Sequence, residues 1–260
     1  MRFFVIIPLA IGLAAGCGGG GGGSNFRPVE DQSPSGFWEG TVDFDTGESL
    51  GISGVVAENN EAIFVLEDGQ MIWGFASVSN NNQVAVDYTW SMGLLNETPG
   101  GAIDGTGALI CTLVERVSMD CTFSSRSSVG EIFEGAGTVV YDDLYERDSS
   151  TAVVSGNWTD SETGEELLSI DAAGRIFSQD PLSGCILGGT IQPIDTSYNA
   201  YDVRLTINGC NIDFAELNGT TFDGLGALVD ELEPEDTLGI AVHTTIMDIA
   251  VGLPTEYRRL

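Results

Sequence analysis

His243 is the only histidine of the chain, so it is the first residue to test for catalytic chemistry. A hydrolase triad would place it beside a nucleophilic serine, yet no serine stands in a Gly-x-Ser-x-Gly elbow. No Cys-x-x-Cys pair or histidine cluster has the spacing of a metal site. We therefore predict that the chain is not an enzyme and holds no metal or cofactor, with His243 a surface or packed residue of a late strand.

Carboxylates dominate the charged residues, with 39 Asp and Glu against nine Lys and Arg and a net charge of −30. A field of this sign repels phosphate backbones, so nucleic acid is excluded as a partner. The stretch DFDTGE, residues 43–48, contains half of the ligands of a calcium loop but lacks the later bidentate glutamate. We interpret it as a hairpin turn.

The first residues, MRFFVIIPLAIGLAA, place one arginine before an apolar run. The run is shorter than the roughly 20 residues that a membrane-spanning helix needs, and it predicts a secretory signal peptide over residues 1–16. Ala14-Ala15-Gly16-Cys17 resembles the lipobox of bacterial lipoproteins. The resemblance implies diacylglyceryl attachment at Cys17 and a lipid anchor in the outer membrane, on its periplasmic or cell-surface face. We expect residues 17–35, which include six consecutive glycines, to form a disordered tether.

Four cysteines remain once the lipobox resemblance assigns Cys17 to lipid: Cys111, Cys121, Cys185 and Cys210. Outside the cytoplasm they are expected to form disulfides, and three pairings are open. Repeated sequence in the chain favours Cys111–Cys121 in a short hairpin of a first module and Cys185–Cys210 in a longer hairpin of a second.

The repeat has two parts. FEGAGTVVYD, from residue 133, aligns with FDGLGALVDE, from residue 222, and the same offset of 89 carries Cys121 onto Cys210. Upstream, SGFW at 35–38 matches SGNW at 155–158. The order of these matches predicts a duplicated module, with a first copy at 36–147 and a second at 152–260, each able to fold independently.

Short apolar runs bounded by Gly, Asn and Asp fill both modules, and long amphipathic helical periods are absent. Val84, Val86, Tyr88 and Trp90 alternate with smaller or polar residues, a period of two that is typical of a sheet with one buried face. The chain is therefore predicted to be all-β, with two tandem antiparallel modules that are either barrels or sandwiches.

Gly36-Phe37-Trp38 and Gly156-Asn157-Trp158 resemble the Gly-x-Trp that opens the first strand of lipocalin-type (calycin) barrels. The resemblance implies that Trp38 and Trp158 close the barrel floors. It also implies an arginine stacked over each ring, Arg147 in the first module and Arg258 or Arg259 in the second. The alternative is that both tryptophans are first-strand core residues of another barrel or a sandwich.

We predict a non-enzymatic envelope lipoprotein whose partners are the membrane, through its anchor, and a small apolar ligand or an envelope protein. The alternative is an adhesion or envelope-assembly protein that uses its acidic surface. An apolar cavity inside a module distinguishes the first function from the second.

Overall fold

The computed structural model describes residues 32–79, 82–92, 103–160, 164, 167–179, 183–229, 237–246 and 249–260. The predicted signal peptide, Cys17 and most of the predicted tether lie outside the described residues. Residues 31–260 form one compact unit. Within the described part of the chain, no helix has the length and apolar character needed to cross a bilayer.

The first barrel is a closed sheet of eight antiparallel strands in chain order. Its strands are β1 (Gly36–Phe44), β2 (Ser49–Val56), β3 (Glu61–Leu66), β4 (Met71–Ser79), β5 (Gln83–Ser91), β6 (Asp104–Val114), β7 (Ser118–Ser127) and β8 (Ile132–Asp142). The barrel closes where β8 pairs with β1, with Trp38 opposite Tyr141. The choice between barrel and sandwich is thus resolved in favour of the barrel.

Alternation along β5 shows how these strands line the interior of the barrel. Val84, Val86, Tyr88 and Trp90 are buried in the interior, while Asp87 is exposed. Each strand can bury only every second side chain, so eight strands of this pattern enclose one apolar lumen. The predicted turn at residues 43–48 is present as the β1–β2 hairpin.

The second barrel is also closed and also has eight antiparallel strands in chain order. Its strands are β9 (Gly156–Asp160), β10 (Leu167–Ile170), β11 (Arg175–Gln179), β12 (Ile186–Pro193), β13 (Tyr201–Asn208), β14 (Thr221–Leu228), β15 (Thr237–Ile246) and β16 (Ile249–Arg259). Among the described residues, three pairs join β16 to β9, and one of them places Arg259 opposite Trp158.

A short connection joins the barrels, made of a 3₁₀ turn at Asp143–Glu146 and the helix α1 at Thr151–Val154. Ser150 caps α1, because its side chain accepts a hydrogen bond from the backbone N–H of Val153. Tyr145 from the 3₁₀ turn is buried and stacks on Tyr198 of the second barrel with ring centroids 5.2 Å apart.

The two barrels share a buried core formed by their outer walls. Its buried members are Phe37, Ala57, Ile63 and Met71 from the first barrel, Tyr145 from the connection, and Ala200, Leu225 and Ala227 from the second barrel. If either barrel were separated from the other, its part of this apolar core would be exposed to water, so independent folding of the two modules would cost free energy.

The 89-residue offset of the predicted repeat does not match the topology. Phe133 lies in β8, the last strand of the first barrel, whereas Phe222 lies in β14, the sixth strand of the second. Trp38 and Trp158 do occupy equivalent first strands. The glycine-rich match therefore does not mark equivalent positions. It reflects a type of strand that occurs in both barrels, in which small inward-facing residues lie beneath large side chains of neighbouring strands.

Candidate ligand cavity

A cavity of about 450 Å³ occupies the interior of the first barrel. This volume lies within the range of about 300–1,000 Å³ found for small-molecule sites. Its wall is mostly aromatic and aliphatic. The larger apolar members are Phe44, Leu50, Ile52, Phe64, Leu66, Ile72, Tyr88, Trp90, Met92, Leu109, Met119, Phe123, Phe133 and Val139.

One end of the barrel, the floor end, is filled with side chains. Trp38, near the start of β1, is fully buried there and packs edge-on against Tyr141 with ring centroids 5.5 Å apart. Its indole Nε1–H donates a hydrogen bond of 2.9 Å to the carbonyl oxygen of Pro34. The cavity therefore lies above a packed base that includes Trp38.

The other end carries the cavity mouth, which we define by Thr46, Glu48, Asp68 and Gln70. These residues belong to the β1–β2 and β3–β4 turns and their flanks. Glu48 and Asp68 are both exposed. The apolar interior is thus reached past two carboxylates.

Glycines make room for the aromatic rings of the wall. Gly105 and Gly107 of β6 face the lumen, and a Cβ atom at either position would collide with Trp90 or Tyr88 respectively. The rings can lie against bare backbone only because these positions lack side chains. The cavity wall is therefore set by a pairing of large residues on β5 with small residues on β6.

Polar groups inside the cavity wall are few. The Tyr88 hydroxyl is hydrogen-bonded to Ser125 Oγ, and both residues are buried. Burial raises the pKa of Tyr88, so its hydroxyl stays neutral at physiological pH. Trp90 is 1% exposed, and its Nε1–H has no hydrogen-bond partner among the described residues. A buried donor without a partner is uncommon, because leaving it unpaired costs free energy. A ligand with an acceptor atom near the Trp90 Nε1–H would remove this cost.

Both predicted disulfides are present. Cys111 and Cys121 lie directly opposite each other on β6 and β7, and Cys121 contributes to the cavity wall. Cys185 and Cys210 lie just beyond the last paired residues of β12 and β13, Ile186 and Asn208. The first-barrel disulfide (Cys111–Cys121) thus cross-links β6 and β7 in the wall of the cavity. The second-barrel disulfide (Cys185–Cys210) links the two chain segments just beyond the paired residues of β12 and β13.

The second barrel repeats the tryptophan arrangement of the first. Trp158 is fully buried, and its Nε1–H donates a 2.9 Å hydrogen bond to the carbonyl oxygen of Val154. The guanidinium of Arg259 lies over its ring, 4.4 Å from the centroid. Of the two arginines predicted for this contact, Arg259 makes it. The contact predicted between Arg147 and Trp38 stays a prediction.

Among the described residues, the interior of the second barrel holds a core of large side chains. The buried members on its strands are Trp158, Leu168, Ile170, Ile176, Ile191, Tyr201, Val203, Leu205, Phe222, Leu228, Leu238, Ile240, Val242 and Tyr257. Partly buried Leu187, Ile207 and Ile246 pack against them. The lining residues of the 450 Å³ cavity all belong to the first barrel.

His243 lies at the junction of the barrels, outside the cavity. Its ring stacks on Trp73 with centroids 4.9 Å apart, and its Nε2 is 3.7 Å from a carboxylate oxygen of Glu61. It is a packed residue between two walls. Among the described residues, no three His, Cys, Asp or Glu side chains are grouped so as to hold a metal ion.

Sequence reasoning missed the cavity residues themselves. The alternation on β5 predicts that Tyr88 and Trp90 are buried, but the same pattern is expected of a filled core. The available signal was the Gly-x-Gly at residues 105–107, near the start of β6. It indicates a close approach of large side chains to backbone, although it does not say from which strand they come.

No protein-family model matches the chain, and no curated protein matches it. Among solved structures, Aeromonas veronii immune modulator A is similar over 90% of this chain and 97% of that chain. The two sequences are 10% identical, and the TM-score is 0.39.

Proposed function

We propose that the protein is a non-enzymatic envelope lipoprotein that binds a small apolar ligand inside its first barrel. The cavity carries the proposal: it is enclosed by apolar side chains over most of its wall and has a volume of about 450 Å³. Burying apolar ligand surface there is worth about 25 cal/mol per Å² before the costs of binding. Cys17 is the proposed site of lipid attachment, on the strength of its lipobox-like surroundings.

The wall is suited to an apolar guest for a physical reason. Tyr88 and Ser125 hydrogen-bond to each other, so each hydroxyl already has one polar partner within the wall. Trp90 leaves one N–H donor without a partner in the described part of the chain. The expected ligand is therefore largely hydrocarbon or aromatic, with at most one or two acceptor atoms.

A saturation experiment with N-phenyl-1-naphthylamine, a neutral apolar fluorophore, tests the proposal. The protein used is residues 31–260, the compact unit that contains both closed barrels, both disulfides and their shared core. We expect one saturable site per chain.

Leu109→Trp fills the cavity from β6, and Ile110→Trp is its matched control. Leu109 faces the lumen, whereas Ile110 is the next residue on the same strand and is 48% exposed on the outside. We expect Leu109→Trp to weaken probe binding at least tenfold and Ile110→Trp to leave it unchanged. Leu109→Phe, a smaller intrusion, should give an intermediate loss. Absence of saturable binding, or equal affinity in Leu109→Trp and Ile110→Trp, would contradict the proposal.

A further inference from the structure

We infer that the cavity takes a positively charged amphiphile, with an apolar tail inside the first barrel and a cationic head at the cavity mouth. This inference rests on the proposed function, because it names the chemical class of the ligand for the same cavity. It follows from the charges that surround the mouth and from the nearly apolar interior beneath them.

The mouth end of the first barrel is strongly acidic. Six carboxylates lie in the turns at this end or at their edges: Asp45, Glu48, Glu67, Asp68, Asp104 and Glu131. Among the described residues at this end of the first barrel, Arg126 is the only basic one. It is exposed on β7 between the buried residues Ser125 and Ser127, so its side chain faces away from the lumen.

Two of these carboxylates belong to the cavity itself. Glu48 and Asp68 are part of the cavity lining and are exposed at its rim. One Asp68 carboxylate oxygen already accepts a hydrogen bond from the backbone N–H of Gln70, at 2.9 Å, which fixes the side chain at the turn. Its other oxygen and the Glu48 carboxylate are placed to meet a ligand head.

The interior excludes the charged head, because it holds no described charged side chain that could pair with one. A charge moved into an apolar cavity loses its hydration, so an ionised head remains at the mouth while the tail enters. There an ammonium is attracted by Glu48 and Asp68, and a carboxylate is repelled by them. The net charge of −30 adds to this discrimination by repelling anionic ligands before they reach the mouth.

Three ligands with the same eight-carbon tail separate the head from the tail: octylammonium, octanol and octanoate, each displacing N-phenyl-1-naphthylamine at pH 7. We expect octylammonium to bind at least tenfold more tightly than octanoate, with octanol between them. Raising the salt concentration should bring the affinities of octylammonium and octanoate closer together, because salt screens the solvent-exposed carboxylates of the mouth.

The double variant Glu48→Gln/Asp68→Asn should reduce the difference between ammonium and carboxylate to less than about threefold while keeping the affinity for octanol. The matched control is Asp87→Asn/Asp120→Asn, which removes the same charge from the exposed outer face of the barrel. It should leave the difference nearly intact. Retained binding of the neutral probe shows that each variant is folded.

Each alternative result has a defined meaning. Octanoate that binds as tightly as octylammonium, or a difference that survives Glu48→Gln/Asp68→Asn, would overturn the inference while leaving apolar ligand binding in place. If the neutral probe itself does not bind, the proposed function fails, and the inference fails with it.

Discussion

Arg259 closes the second barrel, and its replacement by methionine gives a sharp test of how that closure works. Its Nη1 donates a 3.0 Å hydrogen bond to the carbonyl oxygen of Ser155, and its Nη2 donates one of 2.6 Å to that of Val153. These carbonyls lie at the end of α1, where the helix supplies no partner. The same guanidinium stacks on Trp158 at 4.4 Å.

The size of the effect follows from these contacts. A hydrogen bond from a charged donor contributes about 1.5–3 kcal/mol, and a cation–π contact about 0.5–2 kcal/mol. Arg259 is partly exposed, so the low end of each range applies. Methionine keeps much of the apolar stem but none of the donors. We therefore expect Arg259→Met to lower the free energy of unfolding by about 3.5 kcal/mol, which is a fall in Tm of about 7–14 °C for a unit of this size.

Arg258→Met is the matched control. It removes the same charge from the neighbouring residue of β16, whose side chain is exposed and points away from the lumen. Scanning calorimetry and urea unfolding of residues 31–260 should show a change of less than about 0.5 kcal/mol for Arg258→Met. Equal losses in the two variants would mean that general charge, not the contact with α1 and Trp158, stabilises this end of the barrel.

Three further predictions concern other parts of the chain. Replacing both cysteines of the first-barrel disulfide, which are 10 residues apart, with alanine should lower the free energy of unfolding in urea by about 2.7 kcal/mol. The same replacement in the second-barrel disulfide, whose cysteines are 25 residues apart, should lower it by about 3.5 kcal/mol. A larger loss for the first disulfide than for the second would refute the chain-entropy reasoning. Burial raises the pKa of Glu58, although Tyr145 donates a hydrogen bond to its carboxylate. The folded state therefore binds the Glu58 proton more tightly than the unfolded state does. The stability that this proton contributes is lost as the pH rises through the raised pKa. Glu58→Gln should therefore gain stability relative to the parent between pH 4 and pH 7, and a parallel pH dependence of the two proteins would contradict this sign. Cys17→Ala should abolish palmitate incorporation and move the protein out of the membrane fraction; unchanged labelling would remove the lipoprotein interpretation.

Local patterns in the sequence predicted the parts of the fold that depend on neighbouring residues. The period of two on β5 identified which side chains face inward. Both disulfides were predicted correctly from the repeat although its 89-residue offset does not match the topology, because each pair of cysteines lies in or just beyond neighbouring strands. The repeated Gly-x-Trp correctly marked two equivalent first strands. In each case the information lies within a single strand or a single hairpin.

The sequence failed where distant surfaces decide the structure. The 89-residue offset matched strands of similar composition at different places in the two barrels. The shared core between the barrels was not predicted, because Ile63, Met71 and Leu225 have the same apolar character as lumen residues. Which wall packs against another is set by three-dimensional arrangement, and alternation alone cannot distinguish a wall that faces solvent from one that faces a second barrel.

The floor end of each barrel is closed in the same way, by a buried tryptophan of its first strand. Each barrel uses one tryptophan near its first strand's start, held by a hydrogen bond to a carbonyl four residues earlier. Above that tryptophan, the first barrel encloses the cavity, where Gly105 and Gly107 of β6 leave room for the rings of Trp90 and Tyr88. In the proposed function the first barrel therefore binds the ligand, and the second, through the shared core, braces the outer face of β1–β4 that forms part of the cavity wall.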